Sequence, residues 1–322
     1  MKRRQFLGLL GAAATQWPVR ANARKAGGPA IGFLNSTNSR GMAQYLSAFH
    51  GGLNSTGFVK DQNVRFTYAW ANGDYAQLPG LAGRLVQDGV DVIASSGGLV
   101  AANAAVDATR DIPVVFLAGL DPRSVGLRPQ TNVTGIVTNT PDQLLQRLEA
   151  LRNLVPGRTV ALLVNPANSP IAAIEQPKAL LSGVPILRAT NMTEVEQAFK
   201  EAGANRYAML VSSDPIYTAN RERIVPLEFK YGVPAGYAWA EYLRAGGFSA
   251  HGPDLRAGYQ TLGRYVGEVL RQKGLRRGAP NDLAVASLQL GPQRFNPDAA
   301  KRHGIVIPTS LRDNVRRYRS PR

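Results

Sequence analysis

Residues 91–122 read DVIASSGGLVAANAAVDATRDIPVVFLAGLDP. Asp91 to Ala94 is a short apolar run that enters Ser95-Ser96-Gly97-Gly98. A stretch of small residues follows to about Thr109. A second apolar run, Pro113 to Leu117, then ends at Ala118-Gly119-Leu120-Asp121-Pro122. Strand, polar glycine-containing turn, helix and strand in that order make a βαβ unit, whose strands lie parallel with the helix packed across them.

The same alternation extends in both directions. Upstream, Ala30–Leu34 is a strand that leads into the polar run Asn35-Ser36-Thr37-Asn38. A helix is expected from about Gly41 to Thr56, a strand near Val64–Trp70, and a helix marked by Leu78, Leu81, Ala82, Leu85 and Val86. Downstream the pattern restarts. Leu144, Leu145, Leu148, Leu151 and Leu154 mark a helix, and Thr159–Val164 is a strand ending at Asn165-Pro166. Ile186–Ala189 and Tyr207–Val211 read as strands, the latter ending at Ser212-Ser213-Asp214-Pro215. Val195–Ala202 reads as a helix, and Val233–Tyr237 and Phe248–Ala250 as short strands. Leu255–Lys273 is an amphipathic helix with Tyr259, Leu262, Val266, Val269 and Leu270 on one face. Two such runs in a chain of 322 residues imply two α/β lobes. In open parallel sheets ligands bind beyond the carboxyl ends of the strands, where this chain places small, polar residues.

The N-terminus has the form of an export leader. Lys2, Arg3 and Arg4 precede the apolar run Phe6–Ala14, and Ala21-Asn22-Ala23 offers small residues for cleavage after Ala23. Arg3-Arg4-Gln5-Phe6-Leu7 resembles a twin-arginine signal. The apolar run is about half of the roughly 20 residues that span a bilayer. The whole chain carries a formal charge of +16. Residues 1–23 hold four basic and no acidic residues, and +16 less four leaves +12 for the remainder. Much of the excess lies scattered near the C-terminus with no nucleic-acid-binding motif beside it, so it reads as a solvated basic face and nucleic acid is not expected as a partner. The chain has no cysteine. Disulfides, thiol chemistry, cysteine-ligated metal and a lipid anchor on a cleavage-site cysteine are therefore excluded.

Motifs for catalysis are absent: no Gly-x-Gly-x-x-Gly after a strand, no P-loop, no Gly-x-Ser-x-Gly. The three histidines, His50, His251 and His303, lack metal-ligand spacing. Neither a cofactor nor a metal is expected, and an enzyme is the least favoured reading. The candidate residues are those of a binding cleft. Ser36, Ser95, Ser96 and Gly97 offer hydroxyls and backbone N–H groups where a loop opens a helix, a setting suited to a carboxylate. Asp121 and Asp214 either receive an amino group or cap helices and turns. Asn165 is either a polar ligand contact or part of an Asn-Pro turn. Tyr237 leads the aromatic candidates for covering an apolar solute, ahead of Trp70, Tyr75, Phe116, Tyr217 and Trp239.

An ordered set of segments carries a resemblance. In the first half it comprises Ile31-Gly32-Phe33-Leu34-Asn35-Ser36, Ala69-Trp70-Ala71-Asn72-Gly73-Asp74-Tyr75 with Leu78-Pro79, Val90–Ala94, Ile112–Phe116, Asp121-Pro122 with Gly126-Leu127, and Asn132-Val133-Thr134-Gly135. In the second half it comprises Leu154-Val155-Pro156-Gly157, Val164-Asn165-Pro166, Asp214-Pro215 and Ala245-Gly246-Gly247-Phe248. Together they resemble the ABC-transporter substrate-binding protein family, which includes tryptophan- and tyrosine-binding members and has a variant of the type I periplasmic binding fold. There are two departures. Ile171–Pro185 looks shorter than the family's usual helix, and His251 stands where relatives commonly carry tyrosine, which adds it to the ligand candidates.

The resemblance implies two Rossmann-like lobes with parallel sheets, joined by a three-crossover hinge near 138–141, 247–252 and 278–286. Lobe one is then 29–139 plus 250–280, lobe two is 140–249 plus 281–300, and residues 301–322 are left unassigned. It also implies a monomeric, soluble, periplasmic protein that closes on a small organic solute, an amino acid or an aromatic or carboxylate compound, and delivers it to an inner-membrane permease. A periplasmic sensor feeding a signalling partner is the alternative, with an α/β enzyme after it. A cytoplasmic repressor of similar fold is disfavoured, because the N-terminus has a leader and no helix-turn-helix.

Overall fold

The computed structural model describes residues 28–125, 131–138, 141–274, 283–307 and 316–317. The expected leader and its cleavage site lie outside the described residues. The first run comprises β1 (Ala30–Asn35), α1 (Ala43–Asn54), β2 (Arg65–Trp70), α2 (Leu78–Gln87), β3 (Val92–Ser96), α3 (Leu99–Ala108), β4 (Val114–Ala118) and β5 (Val133–Val137). The second comprises α4 (Pro141–Leu154), β6 (Val160–Val164), α5 (Ser169–Leu181), β7 (Ile186–Arg188), α6 (Met192–Ala204), β8 (Ala208–Val211), α7 (Pro215–Ala219), α8 (Arg221–Tyr231), β9 (Ala235–Tyr237), α9 (Glu241–Arg244) and β10 (Ser249–Ala250). The chain ends with α10 (Leu255–Gly274), β11 (Ala286–Ser287), β12 (Arg294–Phe295), α11 (Pro297–Arg302) and β13 (Arg316–Arg317).

Two sheets result, in the orders β2-β1-β3-β4-β5-β11 and β7-β6-β8-β9-β10-β12-β13. Every pairing is parallel except β10 with β12. The central strands β3, β4 and β6 are buried along their whole length, as their continuous apolar runs require when helices cover both faces. The two orders repeat one plan, with β1, β2, β3 matched by β6, β7, β8. Strand order reverses between β1 and β3 in one lobe and between β6 and β8 in the other, and such switch points are where crevices open.

α10 packs against α1 and the first sheet, so it completes lobe one from late in the chain. The approach is close: a Cβ at Gly52 would land on the Gln260 carbonyl, and one at Gly263 on the Phe49 carbonyl.

The structure moves three expectations. Ser95 and Ser96 belong to β3 and are fully buried, because β1 extends the pairing to Asn35 opposite Ser96. The third crossover falls after Ser287, later than 278–286, because β11 pairs with β5 in the first sheet and β12 with β10 in the second. The resemblance implies lobe two for residues 281–287, yet those of them in β11 extend the sheet of lobe one. The C-terminal segment goes to lobe two: β13 pairs with β12, and His303 Nε2 lies 3.3 Å from Glu228 Oε2. Among the described residues no helix is long and apolar enough to cross a membrane, and no group of His, Asp and Glu is placed to hold a metal ion.

Candidate functional site

The two switch points face each other across a cavity of about 60 Å³. From lobe one, Thr37 follows β1 and Gly97 and Gly98 follow β3; from lobe two, Asn168 follows β6 and Ser213 and Pro215 follow β8. The two rims touch. A Cβ at Gly98 would lie 2.9 Å from Pro215 Cγ, and one at Gly41 would lie 3.1 Å from the Ala219 carbonyl. The Tyr75 hydroxyl crosses the cleft to donate to the Asp214 carboxylate at 3.2 Å.

The β3–α3 turn depends on its glycines. Gly97 and Gly98 have φ of +88° and +87°, a region that suits glycine, and a Cβ on Gly97 would meet Ser36 Oγ at 2.5 Å. Ser36 Oγ donates to the Gly97 carbonyl at 2.6 Å. Asn35 ties the same edge together: its Nδ2 donates to Ser96 Oγ at 2.9 Å and its Oδ1 accepts from Thr37 N at 2.7 Å. No side chain caps α3, so its N-terminal N–H groups at this edge have no side-chain acceptor.

The walls are apolar: Met42, Tyr45, Leu117, Leu255 and Tyr259 from lobe one, and Ile171 and Trp239 from lobe two. Tyr45 and Tyr259 stack with ring centroids 5.0 Å apart. Among the described residues no Asp, Glu, Lys, Arg or His lines the cavity. Among the described residues, two atoms of lining residues are buried with no hydrogen-bond partner, Tyr45 Oη and Asn168 Oδ1. Burial drives the Tyr45 hydroxyl's pKa far up, so it stays protonated and can donate.

The expected site residues distribute unevenly over this geometry. Gly97 lines the cavity. Ser36, Ser95, Ser96 and Asn165 are buried around it without lining it. Asn165 Oδ1 accepts from Ala167 N at 3.0 Å, the Asn-Pro turn of its two readings, and the cavity contact from that loop is Asn168. Asp214 is the cap of its two readings. It accepts from Ile216 N and Asn168 Nδ2, both at 2.9 Å, and from Tyr75. Burial raises its pKa against those donors. Asp121 is committed to Arg123, whose Nη2 donates to it at 2.7 Å. Tyr237 lies in the core of lobe two; its hydroxyl donates to Glu228 Oε1 at 2.6 Å and its ring stacks on Tyr242. Trp239, two residues on, lines the cavity instead. His251 is half-buried at the second crossover, outside the lining, with a pKa lowered by burial and then by Arg147.

Sequence reasoning did not place Tyr45, Tyr259 or Asn168 in the site. Tyr45 and Tyr259 sit on helix faces that read as core. Asn168 stands three residues beyond Asn165, the residue that follows the strand.

Two parallel α/β lobes with repeated topology, three crossovers and a cavity between their switch points define the type I periplasmic binding fold. Solved structures agree. A conserved domain protein from Vibrio cholerae matches with a TM-score of 0.77 at 20% identity, over 90% of this chain and 99% of that one. The ABC domain from Streptococcus pneumoniae in complex with L-Trp matches with a TM-score of 0.74 at 22% identity, again over 90% and 99%. The ligand-free, open form of a substrate-binding protein with adhesive properties from Clostridium difficile matches with a TM-score of 0.56 at 21% identity, over 91% and 100%. No curated sequence matches. The chain belongs to the family described as ABC transporter substrate binding protein, whose model matches residues 31–316.

Proposed function

We propose that this protein is the periplasmic solute receptor of an ABC importer. The carrying observation is the cavity between the two switch points, which holds, among the described residues, an unpartnered polar atom from each lobe. Each such buried atom costs about 1–3 kcal/mol, a cost that a solute with matching groups removes. The cavity has room for only a handful of waters. A solute the size of an amino acid or aromatic acid therefore enters by parting the Gly98–Pro215 and Tyr75–Asp214 contacts, and the lobes close over it about the three crossovers. The periplasmic location rests on residues 1–23 as a leader, and the permease as partner rests on the family. The binding role rests on the family that the chain belongs to.

A thermal-shift screen of residues 24–322 against amino acids, aromatic acids and sugars tests the reading. A solute at a hundred times its Kd adds about 2.7 kcal/mol of stability. A broad library that produces no shift, with turnover of any compound, would refute it.

A further inference from the structure

We infer that the solute is a small, mostly apolar monocarboxylate that carries no ammonium group. The inference rests on the solute-receptor reading and concerns what the cavity can recognise. An α-amino acid brings a buried cation, and a buried cation needs an anion beside it. Among the described residues no carboxylate lines this cavity. The carboxylates within two positions of lining residues are each engaged: Asp214, 1% exposed, accepts from Tyr75, Asn168 and Ile216 N, Asp121 accepts from Arg123, Glu241 accepts from Arg244, and Asp254 accepts from Ala257 N at the start of α10. The role of Asp214 is to cap α7 and to orient the Asn168 amide. With Asn168 Nδ2 held by an acceptor-only carboxylate, Oδ1 is the atom left over, and it fits a neutral donor such as a hydroxyl or ring N–H.

A carboxylate has a place. The N-terminus of α3 is uncapped by any side chain, its N-cap Gly98 lines the cavity, and a helix start favours an anion. The second observation in this cavity is the Tyr45 hydroxyl: 1% exposed, on a lining residue and without a partner among the described residues. The stacked Tyr45–Tyr259 rings and Trp239 provide flat apolar walls for what lies between the two polar ends.

The test is calorimetric titration of residues 24–322 with matched pairs differing only by the ammonium group: 3-(4-hydroxyphenyl)propanoate against L-tyrosine, and indole-3-propanoate against L-tryptophan. The expected result is that the ammonium-free member of at least one pair binds ten or more times tighter. Equal or tighter binding of the amino acid overturns the inference and leaves the receptor reading standing. Failure of all four compounds also overturns it, while the receptor reading still answers to the broad screen. The amide of the better binder separates the carboxylate from bulk: binding as tight as the acid's overturns the anion assignment. Tyr45→Phe removes only a hydroxyl with no internal partner. It should leave the unliganded melting temperature unchanged or higher and weaken the acid about fivefold. Unchanged affinity in that variant overturns the assignment of Tyr45 to the solute.

Discussion

The two lobes share one strand order but are built from different materials. Among the described residues, lobe one buries polar groups that are all uncharged: Asn35, Ser36, Thr37, Ser95, Ser96, Asn132 and the threonines of its other loops and strands. Lobe two buries Arg147, Glu175, Asp214, Glu228 and Glu241. In lobe one, short hydroxyl and amide side chains tie strand ends directly to neighbouring backbone. Lobe two adds buried charges to such amide contacts, and the Arg147–Glu175 and Glu228–His303 contacts hold charged groups that depend on a partner to remain buried. Equivalent topology therefore does not mean equivalent energetics. Lobe one should tolerate loss of a polar contact, and lobe two should respond strongly to loss of one member of a pair.

The largest expected effect follows from that contrast. Arg147 and Glu175 face each other at 3.4 Å with side chains 1% and 4% exposed. Arg147→Met strands a carboxylate and should cost about 3–5 kcal/mol, with the double variant Arg147→Met, Glu175→Leu recovering much of it. Urea unfolding read by hydrogen exchange should place the loss in β6 and β8; an equal loss in β1 and β3 would break the comparison. Next in size is the glycine contact of lobe one. Gly263→Ala drives a methyl group into the Phe49 carbonyl and should cost about 1–3 kcal/mol, read as early exchange in α1 and α10. Ser36→Ala removes one neutral hydrogen bond to Gly97 and should cost about 1 kcal/mol in equilibrium unfolding. A loss near that of Arg147→Met would show that lobe one is as coupled as lobe two.

The smallest effect is one of sign. Burial raises the carboxyl pKa values of Glu175, Asp214, Glu228 and Glu241. Their folded pKa exceeds the unfolded one, so the stability they contribute is present at low pH and lost as pH rises through the folded value. His50 in lobe one is lowered, first by burial and then by Lys60. Its contribution is present above the ordinary value of 6.5 and lost as pH falls below it. Lowering the pH through these windows should therefore strengthen lobe two and weaken lobe one. Hydrogen exchange corrected for intrinsic rates can test this, and a shift of the same sign in both lobes would rule it out.

Much of the architecture was legible in the sequence, because an apolar run followed by a polar, glycine-containing turn is what a parallel strand feeding a helix must look like. Gly97 was legible for the same reason, since its turn requires a positive φ. The terminal strands were not. β10, β11, β12 and β13 have two residues each, too few to show a period, so the third crossover and the destination of the C-terminus had to come from the structure. The cavity walls were illegible for another reason. Tyr45 and Tyr259 are 214 positions apart and occupy helix faces that look like ordinary core. Tyr237 misled because an aromatic at a strand end signals burial without saying on which face. Asp214 and Asn165 each satisfied two local rules at once, and only their hydrogen-bond partners separated capping from recognition.

The seating of α10 against α1 also bears on how the chain is made. α1 emerges early from the ribosome, but the surface that covers it arrives only with residues 255–274. A nascent chain stopped anywhere before that point lacks the surface that seats against Tyr45 and Gly52 of α1, whatever its first five strands have already done. Contacts this distant along the chain slow folding. The molecule is therefore assembled close to all at once, near the completion of synthesis, and an N-terminal fragment offers a chaperone an apolar helix face in place of a finished lobe.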